Sequence, residues 1–284
     1  MTLIQNQYRI IKQLDEQDVG ITYLAEDLHH PSKQLCVVKE TKPILLKPTV
    51  NQSTHNKIKL FQERFKQEAE NLVEISREHD QISNLYTCFE KEGQLYWVRE
   101  WVEGQTLTQW EHPVEPGMIV EILRQTLLVL DSLHNRGILH LNLKPSNIIW
   151  RKQDSKVVLT DFGILKEITG HFPLDLQVDP GPRVIPFSYR SPEQSKGGRT
   201  GPFSDYYSLG LTMITLMMGN AFEQFKRDFA YHGEMRWRQY IPEVNPVLAD
   251  ILDQAIHYDP RHRFRVARDM LVVLQEVPIE PSTT

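Results

Sequence analysis

Short apolar runs with turn-forming residues between them occupy the first hundred positions, and longer apolar stretches of helical character follow. Tyr8–Ile11 begins a strand, and Ile21–Ala25 reads as its hairpin partner across Leu14–Gly20. Leu35–Lys39 is a β-branched run that ends in a lysine. Leu85–Phe89 and Gln94–Val98 form a second hairpin around Lys91-Glu92-Gly93. Lys59–Arg77 is helical by composition, and at 100° per residue Phe61, Phe65 and Leu72 fall within about 40° of one another. Glu68 lies in the middle of that apolar stripe, whereas Glu63, Glu70 and Glu74 lie on the opposite, solvated face. A carboxylate on a core-facing stripe needs a partner, and Lys39 is the natural one. The polar connection from Glu40 to Lys57 is long enough to expect a mobile insertion. Gly117–Asn135 is a strongly apolar helix ended by Gly137. Ile148–Trp150 and Val157–Thr160 make a short hairpin, and the helix opening at Ser204 and running through Met218 is too short to span a bilayer.

Composition narrows the class without naming a function. A chain of 284 residues is long enough for one large domain or for two lobes sharing a cleft. With 40% apolar and 24% charged residues it has the make-up of an ordinary globular protein. A net charge of −5 with no basic block argues against nucleic acid as a partner. Cys36 and Cys88 read as buried free thiols, since two cysteines allow neither a disulfide framework nor metal spacing. Met1–Tyr8 lacks the basic and apolar regions of a signal peptide, and no apolar run of about 18 residues suggests a membrane partner. The expected location is the cytoplasm.

Candidate chemistry concentrates in His140-Leu141-Asn142-Leu143-Lys144-Pro145-Ser146-Asn147 and, fourteen residues on, Asp161-Phe162-Gly163. Together they offer two amides, an ammonium and a carboxylate on neighbouring loops, groups that suit a phosphate and its metal ion. The pair resembles the catalytic loop H-R-D-L-x-x-x-N and the D-F-G motif of protein kinases. Tyr189-Arg190-Ser191-Pro192-Glu193 resembles the A-P-E block of the same family. The resemblance covers about residues 6 to 276. Val158–Lys166 and Ser191–Gln194 give it the character of bacterial, especially cyanobacterial, Ser/Thr kinases.

The resemblance implies an α+β, bilobal, protein-kinase-like domain over 1–276. It would have a small β-rich N-lobe with one helix (about 1–101), a hinge (about 100–104), a larger helical C-lobe (about 105–276) and a tail at 277–284. It also implies ATP and Mg²⁺ as cofactors and a protein as partner or substrate. Lys39 would contact the α and β phosphates and pair with Glu68, and Lys144 would meet the γ-phosphate. Gly20 is the one glycine left from the phosphate-covering G-x-G-x-x-G loop, while the backbone of Glu100 and Val102 would hold adenine. Asn147 and Asp161 would bind Mg²⁺. Asp205 would hold the catalytic-loop backbone, and Glu193 would pair with Arg263.

The departures from the family pattern lie near the chemistry. Asn142 stands where the family has its catalytic Asp, and Leu141 stands where it has the Arg that reads activation-loop phosphate. Asp15 and Gln17 replace loop glycines, leaving that loop open to two readings, a phosphate cover or a surface turn. Pro186 replaces the Thr that contacts the catalytic Asp and Lys, and Ser188 replaces a following glycine. Arg99, bordering the inner adenine pocket, has three placements open: pairing with Glu68, intruding on the base, or turned outward by a one-residue shift. A neutral amide accepts a hydrogen bond but is a negligible base, and general-base assistance contributes roughly 10²–10⁴ in rate. The expectation is a pseudokinase acting as a regulatory or scaffolding partner. The alternatives are a slow but genuine Ser/Thr kinase, and a kinase-fold binding module in which Arg99 and Asp15 have closed the nucleotide pocket.

Overall fold

The computed structural model describes residues 2–17, 20–41, 70, 72–91, 94–163, 188–232 and 235–278. The chain divides into two compact units, residues 1–103 and 104–284.

The first unit is a six-stranded antiparallel sheet. Its strands are β1 (Leu3–Ile4), β2 (Tyr8–Gln17), β3 (Gly20–Asp27), β4 (Leu35–Thr41), β5 (Leu85–Lys91) and β6 (Gln94–Glu100), in the order β1-β2-β3-β4-β6-β5. Side chains alternate between the faces of a strand, so β4 and β6 each sort their residues in two. Cys36, Val38, Tyr96 and Val98 join Ile4, Tyr8 and Ala25 in one apolar core, with Phe89 stacked between Tyr8 and Tyr96 at 6.2 and 5.1 Å. Val37, Lys39, Trp97 and Arg99 take the other face, because Val37 pairs with Arg99 and Lys39 with Trp97. Cys36 is buried and Cys88 half-buried, both free, and burial pushes the Cys36 thiol up to about 12.

One expectation is corrected here. The glycine-poor stretch 14–20 is not a loop over most of its length, since the β2–β3 ladder continues through Asp15↔Thr22 and Glu16↔Ile21 to Gln17↔Gly20. Residues that carry a Cβ favour the extended region over the positive-φ turns that glycine permits, and the ladder satisfies their backbone groups. Irregularities between Ile10 and Lys12 and between Gln13 and Asp15 break the register twice along the way.

Of the expected helix 59–77, the structure describes residue 70 and α1 (72–78), with Leu72 and Ile75 buried and Glu70 and Glu74 exposed as the stripe requires. Glu68 and its pairing with Lys39, Phe61, Phe65, most of the 40–57 insertion, Ile164–Lys166 and Pro186 lie outside the described residues.

The second unit has a three-stranded sheet, β7 (Gly104–Thr106), β8 (Ile148–Arg151) and β9 (Lys156–Leu159). Its helices are α2 (Pro116–His134), α3 (Pro192–Ser195), α4 (Pro202–Met218), α5 (Ala221–His232), α6 (Pro246–Ala255) and α7 (Ala267–Leu274). Helix α2 buries Ile119, Ile122, Leu123, Leu127, Leu130 and Leu133, one stripe at helical spacing. It ends as expected at Gly137, whose φ of +73° lets Ile138 N donate to Leu133 O at 3.0 Å. Helix α4 is buried on every side from Ser204 to Met218, with Ser204, Asp205, Ser208, Thr212 and Thr215 forming a buried polar side on an otherwise apolar helix. It is the post against which α2, α5 and α6 pack. No described helix is long and apolar enough to cross a membrane.

Candidate functional site

The first turn of α4 organises the loop that follows α2. Asp205 is fully buried, and its carboxylate accepts from the backbone of His140 (2.9 Å) and Leu141 (2.7 Å) and from His134 Nε2 (2.9 Å). Two consecutive N–H groups aimed at one carboxylate force a tight bend. Leu141 takes it up with φ +58°, a left-handed conformation that costs an L-residue about 1–2 kcal/mol. The loop is held from the other side as well, since Leu141 O accepts from Gln194 Nε2 at 3.1 Å. Gln194 is itself fixed at the start of α3, where its Oε1 accepts from Ser191 N (3.1 Å) and Ser191 Oγ (3.2 Å). The expected role of Asp205 as holder of this backbone is met by direct contacts.

The β8–β9 hairpin returns the chain to the same loop, where Thr160 N donates to Asn147 O at 3.0 Å. Asn147 Nδ2 donates to Asn142 O at 2.7 Å, and Asn142 Nδ2 donates to Asp161 O at 2.8 Å. Both partners are carbonyls, which only accept, so both amides present nitrogen to them. Asn147 Oδ1 lies on the other side of its amide, next to Ser146 Oγ at 3.3 Å. Asp161 takes φ +56°. Gly163 N donates to His140 O at 2.7 Å, and a Cβ on Gly163 would stand 2.7 Å from Leu141 O. This turn therefore needs a glycine because of its neighbour, even though the glycine's own φ is ordinary.

His140 closes the cluster beneath. Its ring stacks on Phe162 with centroids 4.4 Å apart, and its Nδ1 accepts from Asn142 N at 3.3 Å. The hydrogen is thereby assigned to Nε2, which is buried without a full hydrogen bond among the described residues. Burial pushes the His140 pKa down to about 4, so the ring is neutral at pH 7.

A separate ion pair sits beside this loop. Arg263 Nη1 and Nη2 meet Glu193 Oε1 and Oε2 at 2.8 and 3.0 Å, a bidentate contact with the guanidinium fully buried. Arg263 also donates to the carbonyls of His257 (2.6 Å), Phe203 and Tyr258 (both 3.1 Å), and Ser204 Oγ donates to Glu193 Oε1 at 2.8 Å. Burial alone would raise the Glu193 carboxyl, but hydrogen bonds from Arg263, Ser191 and Ser204 outweigh it and hold it below the usual range. The pairing expected from the sequence is present.

In the first unit, Lys39 lies opposite Thr22 and Trp97, and Gly20 opposite Gln17 and Thr41. Glu100 exchanges backbone and side-chain bonds with Asn84: Glu100 N donates to Asn84 O (2.8 Å), and Oε2 accepts from Asn84 N (3.1 Å) and Nδ2 (2.9 Å). Val102 is buried. Arg99 pairs with Val37 on the face of Lys39, so the outward one-residue shift does not occur; its Nη1 donates to Glu100 O at 3.2 Å. In the second unit, Lys144 O accepts from Asn147 N at 2.9 Å and opens the short turn Pro145–Asn147. Asn142, Asn147 and Asp161 are thus brought together within one unit, while Gly20, Lys39, Glu100 and Val102 belong to the other. Sequence reasoning missed Gln194, whose spacing from Ser191 is that of a helix capping box. It also missed the approach of Gly163 to Leu141, which no sequence signal carries.

Comparison with known proteins bears on the family and the fold. A family model described as the protein kinase domain matches residues 32–272. Serine/threonine-protein kinase C of Synechocystis sp. is 40% identical over 286 residues, covering 97% of this chain and 50% of that protein. Serine/threonine-protein kinase PknA of Nostoc sp. is 39% identical over 277 residues, covering 96% of this chain and 48% of its own length. The chain thus spans about half the length of these relatives. Among solved structures, one described as the PpkA-294 apo form aligns with a TM-score of 0.67 at 22% identity, over 96% of this chain and 97% of that one. The autoinhibited serine kinase domain of the giant muscle protein titin aligns at 0.59 and 20% identity, over 96% and 81%. Both share the fold, a β-sheet unit followed by a helical one. By the match of the family model over most of its length, the chain belongs to the protein kinase family.

Proposed function

We propose that this domain is a pseudokinase, a Ser/Thr-kinase-like regulator that binds Mg·ATP, transfers phosphate slowly or not at all, and works in the cytoplasm through a protein partner. The observation that carries this reading is the neutral amide of Asn142 at the base position, with its nitrogen committed to the Asp161 carbonyl. Such a group orients a hydroxyl but does not take its proton, and the missing base assistance amounts to roughly 10²–10⁴ in rate. Leu141 supports the same reading. It is buried and apolar where the family reads an activation-loop phosphate, so control by that phosphate is absent from this proposal.

The donor set fits Mg²⁺. Asn147 turns its nitrogen to a carbonyl and so keeps its oxygen for other partners, and Asp161 supplies a carboxylate. Mg²⁺ prefers such hard oxygens and takes one or two from protein, the remainder from phosphate and water. When bound, the ion would neutralise charge on the phosphates. Lys39, with Glu68 as its partner, and Lys144 would meet the phosphates, Gly20 would lie over them, and the backbone of Glu100 and Val102 would take adenine.

Two observations favour other readings. The holding contacts of Asp205 and Asn147 are complete, and the relatives at 39–40% identity are named kinases, which suits a slow but genuine Ser/Thr kinase. The Glu100 carbonyl already accepts from Arg99, which suits a module without nucleotide. Equilibrium binding of a fluorescent ATP analogue with Mg²⁺, run beside ³²P transfer to a protein substrate, separates the three. The proposal expects native binding, at least tenfold weaker in Lys39→Ala and Asp161→Ala, with transfer near background. Transfer well above background that those variants abolish would make the chain an enzyme. No binding at millimolar nucleotide would leave the third reading.

A further inference from the structure

The buried pair Glu193–Arg263 ties two surface segments together, and their outer side carries unmatched positive charge. Gly198 N donates to Glu193 O at 2.8 Å, which folds 196–199 back over the end of α3. Arg263 Nη2 donates to Tyr258 O at 3.1 Å, which holds the 257–263 turn beside it. Lys196 Nζ joins the two segments by donating to the Tyr258 hydroxyl. Arg263 is neutralised by Glu193. Around that pair Lys196, Arg199, Arg261 and Arg265 are all exposed, and Asp259 is the one carboxylate in 196–199 and 257–265. Asp259 is committed to Arg261, with Oδ2 2.6 Å from Nη2. Neither Arg199 nor Arg265 meets a carboxylate among the described residues. The surplus ends in α7, where Arg268 meets Asp131 at 3.3 Å and Asp269 follows it. Tyr258, 64% exposed, stands among these cations as the most exposed large apolar side chain among the described residues.

Exposed like charges repel at close range and add nothing to folding, although a chain of net charge −5 has carboxylates enough to match them. Such a cluster is complementary to a partner that brings its own carboxylates. We propose that Lys196, Arg199, Arg261 and Arg265, set around Tyr258, form a docking surface for an acidic, Asp- and Glu-bearing segment of a partner protein. Tyr258 gives that segment an apolar ring to pack on, and the four cations draw it in and select it by charge. Nucleic acid fits less well, because the Asp259 carboxylate sits inside the patch, the patch is short and the whole chain is net acidic. The surface lies within the second unit. It rests on the reading of the domain as a regulator that works through a protein, but not on its binding of Mg·ATP.

The probe is a fluorescein-labelled decapeptide of Asp and Glu with one central Leu. It is titrated with the native chain at low salt and without nucleotide, and binding is followed by fluorescence anisotropy. The native chain is expected to bind it, and more weakly as salt is raised. The double variant Arg199→Glu, Arg265→Glu is expected to bind roughly tenfold more weakly, and Tyr258→Ala about threefold more weakly. All three side chains are exposed, and an unchanged melting temperature reports that each variant is folded. No binding by the native chain, or equal binding by the double variant, overturns the proposal. A loss in the double variant with none in Tyr258→Ala would leave only unspecific ion attraction, and also overturns it. So does equal binding of a decapeptide in which Asn and Gln replace Asp and Glu. A labelled ten-residue oligothymidine that binds more tightly than the peptide, with the same loss in the double variant, would assign the surface to nucleic acid instead. Failure of Mg·ATP binding leaves these outcomes standing, and failure of the peptide leaves the nucleotide reading standing.

Discussion

Two polar clusters rest on the same turn of α4 and differ in how they carry charge. In one, Phe203 O and Ser204 Oγ help hold the pair Glu193–Arg263, where a buried guanidinium directs its donors to one carboxylate and three carbonyls. In the other, Asp205 holds the His140–Asn147 loop through two backbone N–H groups, and that loop carries the uncharged Asn142. The difference is physical. Removing one member of a buried ion pair strands the other without compensation, at a cost of several kcal/mol. A residue at a reacting position is exposed to ligand, so its charge can be dropped if the replacement finds a partner. Asn142 finds one in Asp161 O. The Glu193–Arg263 pair holds two charges that compensate each other, whereas the Asn142 amide is satisfied by a neutral carbonyl.

The sharpest challenge to this contrast is Arg263→Ala. It should lower unfolding stability by about 3–5 kcal/mol in urea titration, the cost of leaving Glu193 buried and alone. A loss under about 1 kcal/mol would put that pair on a par with an exposed ion pair and erase the distinction between the two clusters.

The pH dependence of stability probes the loop cluster through His140. Its folded pKa of about 4 lies below the ordinary 6.5, so between those values the unfolded chain binds more protons than the folded one. Stability contributed by this residue is present above pH 6.5 and is lost as pH falls toward 4, by at most about 1.4 kcal/mol per pH unit and about 3 kcal/mol in all. Urea midpoints recorded from pH 7 to 5 should fall accordingly, and His140→Leu should flatten the slope from a lower starting point.

Gly163→Ala should cost less, about 1–3 kcal/mol, because the added methyl meets the Leu141 carbonyl and the loop must shift to admit it. Its melting temperature, set beside that of Arg263→Ala, ranks the two clusters. A larger loss at Gly163 would mean that the loop, not the ion pair, is the stiffer of the two.

Much of this was legible in the chain. Val37 and Val38 in a β-branched run, Tyr96 and Val98 in an apolar, aromatic one, and the apolar stripe of α2 each announce their element through residue type and spacing. The spacing of His140, Asn147 and Asp161 marked the loop cluster, and the family likeness pointed to Asp205 and to the pair Glu193–Arg263. The stretch 14–20 misled because its composition reads as a turn, whereas backbone pairing with β3 keeps Asp15, Glu16 and Gln17 extended. The placement of Arg99 on the face of Lys39 was left open by the sequence, since a shift of one residue reverses a side chain and only the register with Val37 excludes it.

The sequence by itself determined that position 142 carries an amide, a negligible base, where the kinase-like pattern has a carboxylate. That follows from the functional group alone. Where the amide points was decided only by the tertiary structure. The β8–β9 hairpin brings Asp161 back within 2.8 Å, Asp205 bends the loop through Leu141, and Gly163 leaves room for the approach. Hydrogen bonds are short-ranged and directional, so a partner nineteen residues away exists only once those three elements have packed.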